Sequence, residues 1–145
     1  MNDGKPTNPK DMIGSTKLPY HLVPDTGAVI ETLAFLDGAQ KYGQFNWRVA
    51  GVRASIYIDA AKRHLDKWFA GEERDPVSGV EHLGHALACI KIIYDASLIG
   101  KLTDDRPPKG GYLSLIATTE ARVAALKESH KDRKPPYHYT IKDTP

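Results

Sequence analysis

Three histidines stand where chemistry is possible. His82 and His85 are three residues apart, and at 100° per residue they share one strip of a helix with Cys89. Imidazoles so spaced can share a metal ion, and neutral imidazole suits transition metals better than magnesium. His64 falls on the flank of an earlier apolar stripe, beside Tyr57 and Arg53. If the two helices pack antiparallel, as the short connection favours, His64 approaches the His82–His85 strip. The intervening loop supplies Glu72, Glu73 and Asp75, whose hard oxygens can complete a site for a divalent ion that bridges phosphates. The candidate metal ligands are therefore His64, His82, His85, Glu72 and Asp75, with Glu72 and Asp75 also the candidate catalytic carboxylates. The bland alternative is two histidines near a helix start, one satisfied core histidine and a solvated acidic turn.

A second group lies between Lys41 and Arg48, where cations alternate with Tyr42, Phe45 and Trp47. An aromatic ring can stack on a nucleobase while Lys41 and Arg48 take phosphates. A buried Trp47 anchoring the loop to the core explains the same residues structurally. Cys89 lies mid-helix among apolar positions and reads as a small core residue rather than a nucleophile. Asp59, four residues before Arg63, is explained by a helical ion pair. The chain contains neither G-x-x-x-x-G-K-[ST] nor G-x-G-x-x-G, so P-loop and Rossmann sites are excluded.

Helices must position these groups. Val29, Leu33 and Leu36 predict a first helix from Asp25 or Thr26 to about Gln40. Ala54, Ile58, Ala61, Leu65 and Trp68 form the seam of a second, from about Val49 to Phe69. Ser78-Gly79-Val80-Glu81 has the form of a capping box and opens a third helix. Its predicted core seam is Leu83, Leu87, Ile90 and Tyr94, and it ends near Gly100. A fourth helix is expected from about Thr119 to His130. Residues 1–24, with Pro6, Pro9, Pro19 and Pro24, are expected to be an irregular arm laid across the core through Met12, Ile13, Leu18, Tyr20, Leu22 and Val23. Strand-like alternation occurs only at Tyr137–Ile141. The expected fold is all-α: one domain with a bundle of about four helices over 25–131 and extended arms at 1–24 and 132–145.

Composition narrows the function. The 145 residues fit one ordinary domain, and 41% hydrophobic with 26% charged residues excludes wholesale disorder. A net charge of +2 is too nearly neutral for a protein that lives by gripping a nucleic-acid backbone. One cysteine forms no intramolecular disulfide and no thiolate zinc site, which suits a reducing compartment. No apolar run approaches the ~18 residues of a membrane span, and Met1 to Lys5 lead into no signal-peptide stretch. A soluble, cytoplasmic domain is expected.

These stretches resemble the bacteriophage dATP/dGTP diphosphohydrolase family. The resemblance rests on Asn8-Pro9-Lys10-Asp11, Lys17-Leu18-Pro19, Lys41-Tyr42-Gly43, Asn46-Trp47-Arg48 and Arg63-His64-Leu65. It continues through Gly71-Glu72, Asp75-Pro76, Ser78-Gly79, His82-Leu83-Gly84-His85-Ala86-Leu87, Asp104-Asp105-Arg106-Pro107 and His138-Tyr139-Thr140-Ile141. It implies an activity like that of the MazG-like all-α pyrophosphohydrolases, in which a purine deoxynucleoside triphosphate yields monophosphate and pyrophosphate. MazG-like enzymes bind magnesium through E-x-x-E and E-x-x-D. Here the corresponding positions read Ala61-Lys62-Arg63-His64 and His82-Leu83-Gly84-His85. Histidine ligands either favour a softer divalent metal such as cobalt or manganese, with magnesium kept in the candidate set, or mark a different site altogether.

The resemblance extends the candidate substrate-binding set to Lys17, Lys41, Tyr42, Asn46, Trp47, Arg48, Arg63 and Arg106. The expected partner is a purine deoxynucleotide, in phage nucleotide metabolism, with no membrane and no stable nucleic-acid binding. Little inner core and two proline-rich extensions lead to an expected homo-oligomer. The rival from another class is a non-catalytic nucleotide-binding protein, a phage sponge for a host signalling nucleotide.

Overall fold

Asn8 starts the first helix of the computed structural model, which describes residues 8–145. Its side chain accepts from the Lys10 N–H at 3.0 Å, and its own N–H donates to Asp11 at 3.1 Å. With Pro9 in the first turn this caps α1, Pro9–Gly14. The arm is thus partly helical rather than irregular. Nor is it laid on the core, since Met12, Ile13, Leu18, Tyr20, Leu22 and Val23 are all exposed. The part of the arm with Gly4 and Pro6 lies outside the described residues.

Helix α2 covers Thr26–Tyr42 and stops at Gly43, whose φ of +88° turns the chain out of the helix. A short α3, Trp47–Ala50, follows. The predicted second helix does not begin at Val49. Gly51, at φ +78°, breaks the chain, and β1 (Val52–Arg53) pairs in parallel with β2 (Leu102–Thr103). A Cβ on Gly51 would lie 2.8 Å from the Lys101 carbonyl oxygen, so the pairing demands glycine there. Helix α4 then runs Ala54–Phe69. The Ser55 N–H donates to Asp105 at 2.8 Å, which satisfies one orphan amide of its first turn.

Helix α5, His82–Leu98, is central and packs against both α2 and α4. Its capping box does not form. Glu81 is the N-cap and makes no side-chain cap bond, while Ser78 Oγ accepts from the Val80 N–H instead. The seam is also rotated from expectation. His82, Gly84, Ala86, Ala88 and Ala96 are buried, whereas Ile90 and Tyr94 are exposed and Leu83 and Leu87 only half-buried. The reason is close approach. A Cβ on Gly84 would stand 2.6 Å from the Ile30 carbonyl oxygen, so α2 and α5 meet backbone to backbone through small residues. On α2 the expected apolar face divides: Val29, Leu33 and Leu36 point to solvent, whereas Ala34 is buried and Ile30 and Phe35, which broaden that face, are half-buried beside a buried Glu31. On α4 the predicted seam is only partly kept: Ala54 and Ala61 are buried, whereas Ile58, Leu65 and Trp68 are exposed.

Helix α6 covers Tyr112–Glu128, starting seven residues before the expected Thr119. Tyr137–Ile141 is not a strand. A 3-10 turn at Ile141–Asp143 ends the chain, capped reciprocally by Thr140 and Asp143. The fold is all-α, as expected, with six helices among the described residues and a single two-residue strand pair.

Candidate functional site

The β1–β2 pairing joins the start of α4 to the end of α5, so the two helices run antiparallel. His64, late on α4, therefore meets the first turn of α5. His64 and His82 face each other Nδ1 to Nδ1 at 2.8 Å, and His64 stacks on His85 with ring centroids 4.6 Å apart. His82 is fully buried. Its Nε2–H donates to Glu72 at 2.7 Å. A carboxylate can only accept, so Glu72 keeps the proton of His82 on Nε2 and leaves the Nδ1 lone pair facing His64. Ser78 Oγ and His85 Nε2 pair at 3.0 Å.

The acidic loop folds back onto this group. Asp75 N–H donates to the Val80 carbonyl and His82 N–H to that of Glu73. Asp75 Oδ1 accepts from the Val77 and Ser78 N–H groups. Those backbone bonds, Ser78's first, hold the Asp75 carboxyl below its ordinary range. One ligand atom each from His64, Asp75 and His82 lies within 4.8 Å of the others. Burial, reinforced by the neighbouring His85 and His82, lowers His64 to about 4, and burial also pushes His85 down. His64 is thus a neutral imidazole, able to offer a lone pair, at physiological pH. Two imidazoles and a carboxylate are a donor set that fits a divalent metal ion.

Beside this cluster lies a groove of about 1330 Å³ whose lining includes His64, Asp75, Ser78 and His85 but not the fully buried His82. Lys41, Tyr42, Asn46, Trp47 and Arg48 also line it, as sequence reasoning grouped them. Trp47 packs between Phe35 and Phe45 at centroid distances of 5.7 and 5.5 Å. The cations here are engaged. Lys41 donates to Asp37 at 2.7 Å, and Arg48 holds Asp95 through Nε at 2.9 Å and Nη2 at 2.8 Å. Trp47 Nε1–H donates to the same Asp95 at 2.7 Å. Arg48 first, then Trp47, pulls that carboxyl down to about 2.

The remaining predicted residues, His82 among them, fall outside the groove lining. Lys17 sits in the exposed turn after α1, Arg63 on the exposed side of α4, and Arg106 is held by both oxygens of Asp104. Glu72 reaches the cluster only through His82. Sequence reasoning missed Asp95, Asp37 and the Ser78–His85 pair. Asp37 was within reach, as an acid four residues before Lys41, but Asp95 is 47 residues from Arg48 and carries no local signal. Cys89 is half-buried and its thiol is raised by burial, consistent with an unreactive packing residue. No helix of the described residues is long and apolar enough to cross a membrane.

Fold and site together define an all-α protein with a histidine–carboxylate cluster beside an aromatic-lined groove. A family model described as dATP/dGTP diphosphohydrolase, N-terminal, matches residues 7–106, and the chain belongs to that family. His64, Glu72, Asp75, His82 and His85 all lie within the match. A protein named dATP/dGTP diphosphohydrolase, from Salmonella phage PMBT28, is 32% identical over 92 residues. Those residues are 62% of this chain and 30% of that relative, so the chain spans less than a third of the relative's length. No solved structure matches the chain.

Proposed function

We propose that this chain is a metal-dependent diphosphohydrolase that cuts dATP or dGTP to the monophosphate and pyrophosphate, serving phage nucleotide metabolism. The observation that carries the reading is the convergence of His64, Asp75 and His82, with His64 and Asp75 lining the same groove as Tyr42, Phe45 and Trp47. At about 1330 Å³ the groove exceeds the roughly 300–1,000 Å³ of ordinary small-ligand pockets, room enough for a whole nucleotide. The family membership and the relative's name support the substrate class.

Charge supports the metal. A triphosphate carries several negative charges, yet Lys41, Arg48 and Lys91 of the groove are each already paired with a carboxylate. A divalent ion held by His64, Asp75 and His82 would supply the missing positive charge and lower the pKa of a bound water. The protein's own groups do the rest. Glu72 fixes the tautomer of His82, and the backbone amides of Val77 and Ser78 hold the Asp75 carboxylate in its ionised form. His85, oriented by Ser78, faces the groove beside the reacting phosphates, and the Trp47 wall takes the purine. Lys17, Arg63 and Arg106 have the weaker claim to substrate, since none lines the groove.

The test is direct. The 145-residue chain is incubated with each of the four dNTPs and Mn²⁺, Co²⁺, Mg²⁺ or chelator, and the products are resolved by anion exchange. Release of dAMP or dGMP with pyrophosphate, lost in chelator, is expected. No monophosphate under any metal overturns the reading, and tight nucleotide binding without turnover would assign a binding protein instead.

A further inference from the structure

Helix α5 carries three stations of the groove in order along its length. His85, in its first turn, stacks on His64 of the candidate metal cluster. Cys89 is four residues on, roughly 6 Å further along the axis. It neighbours Tyr57 of α4, whose phenol is raised by burial first and then by Cys89 and Tyr42. Asp95 lies ten residues beyond His85, roughly 15 Å along, and accepts the Trp47 indole N–H at 2.7 Å. All of these residues line the same groove.

Tyr57 occupies the middle station with a polar group that the fold leaves unused. It comes seven residues before His64 on α4, and Ala60 between them lines the groove too, so the three share one face of the helix. The residue is half-buried, yet its hydroxyl has no hydrogen-bond partner among the described residues and stays open to solvent. A tyrosine packed away from water usually gives its hydroxyl a partner. Here the partner is missing on the side that faces the groove.

We infer that Tyr57 is the sugar-binding residue of the site, its hydroxyl paired with the 3′-hydroxyl of the deoxyribose. This rests on the diphosphohydrolase reading, in which the cluster takes the phosphates and the Trp47 wall the purine. In a nucleotide the sugar joins those two parts, and Tyr57 stands between the residues that receive them. The 3′-hydroxyl is the one hydroxyl that a deoxynucleoside triphosphate keeps on its sugar, and a phenol can either donate to it or accept from it. A site that hydrogen-bonds a substrate hydroxyl rejects the analogue lacking it, because its own polar group is then left unpaired.

Initial rates on dATP and dGTP and on their 2′,3′-dideoxy forms, with Mn²⁺ or Co²⁺, give kcat/KM for the wild type and Tyr57→Phe. The wild type should prefer the deoxy over the dideoxy substrate by about 5–10-fold, the weight of one hydrogen bond. Tyr57→Phe should lose that factor on the deoxy substrate, lose nothing on the dideoxy one, and keep its melting temperature. Equal losses on both substrates, or no loss on either, overturn the inference. Calorimetric binding of the same four nucleotides reads the preference without turnover. A 3′-hydroxyl preference in binding that Tyr57→Phe abolishes, with no pyrophosphate released, would uphold the role of Tyr57 and sink the catalytic reading alone. A wild type that binds none of the four overturns both.

Discussion

His64 and His82 meet Nδ1 to Nδ1 at 2.8 Å across the α4–α5 interface, with Glu72 at 2.7 Å behind His82. Two imidazole nitrogens seldom share a buried site without either one proton or one metal between them. The carboxylate behind one ring decides which nitrogen is available, because it claims the other.

Glu72→Gln should therefore act through His82. The amide can present either its oxygen or its nitrogen to Nε2 and no longer imposes one tautomer. Affinity for Co²⁺, followed by calorimetry, should fall by roughly 10–100-fold with the far-ultraviolet spectrum unchanged. An unchanged affinity would leave Glu72 as a structural partner alone.

Asp75→Asn separates charge from shape. The amide oxygen can still accept from Val77 and Ser78, so the turn is retained, but the anionic ligand is gone. Pyrophosphate release should drop by about 100-fold or more while the melting temperature barely moves. Normal turnover would remove Asp75 from the site.

The two α5 histidines should differ in stability but not in function. His82 is fully buried with both ring nitrogens engaged, so His82→Ala should destabilise the fold by about 1–3 kcal/mol. His85 is half-buried and faces the groove, so His85→Ala should cost under about 1 kcal/mol. Turnover should fall by orders of magnitude in both. Thermal melts beside a pyrophosphate assay check this, and equal melts would contradict the burial argument.

Two helical glycines give a paired test of the α2–α5 contact. A Cβ on Gly84 meets the Ile30 carbonyl at 2.6 Å, and neither helix backbone can swing aside, so Gly84→Ala should destabilise by about 1–3 kcal/mol. Gly38 on α2 has open space, and Gly38→Ala should stabilise by about 0.4–1 kcal/mol through the unfolded chain. Denaturant midpoints of the two variants should move in opposite directions.

Acid should release the Trp47 anchor. Asp95 titrates at about 2 when folded, against an ordinary value of 3.8. A depressed carboxylate contributes stability that is present above pH 3.8 and lost as pH falls through about 2. In a Trp68→Phe background, Trp47 fluorescence should change between those values, and Asp95→Asn should abolish that transition. A transition unaffected by Asp95→Asn would place the acid response elsewhere.

The sequence by itself determined the ingredients of the site. His82 and His85 share a helix strip because i and i+3 always do, and the loop acids had to lie near its start. The helices were legible for the same reason, since α2 and α4 ran close to their apolar periodicity. What periodicity cannot say is which apolar face its own chain covers. Leu83, Leu87, Ile90 and Tyr94 read as core, yet the structure buries Gly84, Ala86 and Ala88 beside them, because close backbone approach rewards small residues. Likewise Arg48 read as free for phosphate until Asp95, distant in sequence, took both its Nε and Nη2. Contacts between elements depend on how helices cross and not on local spacing, and so they were decided only by the tertiary structure.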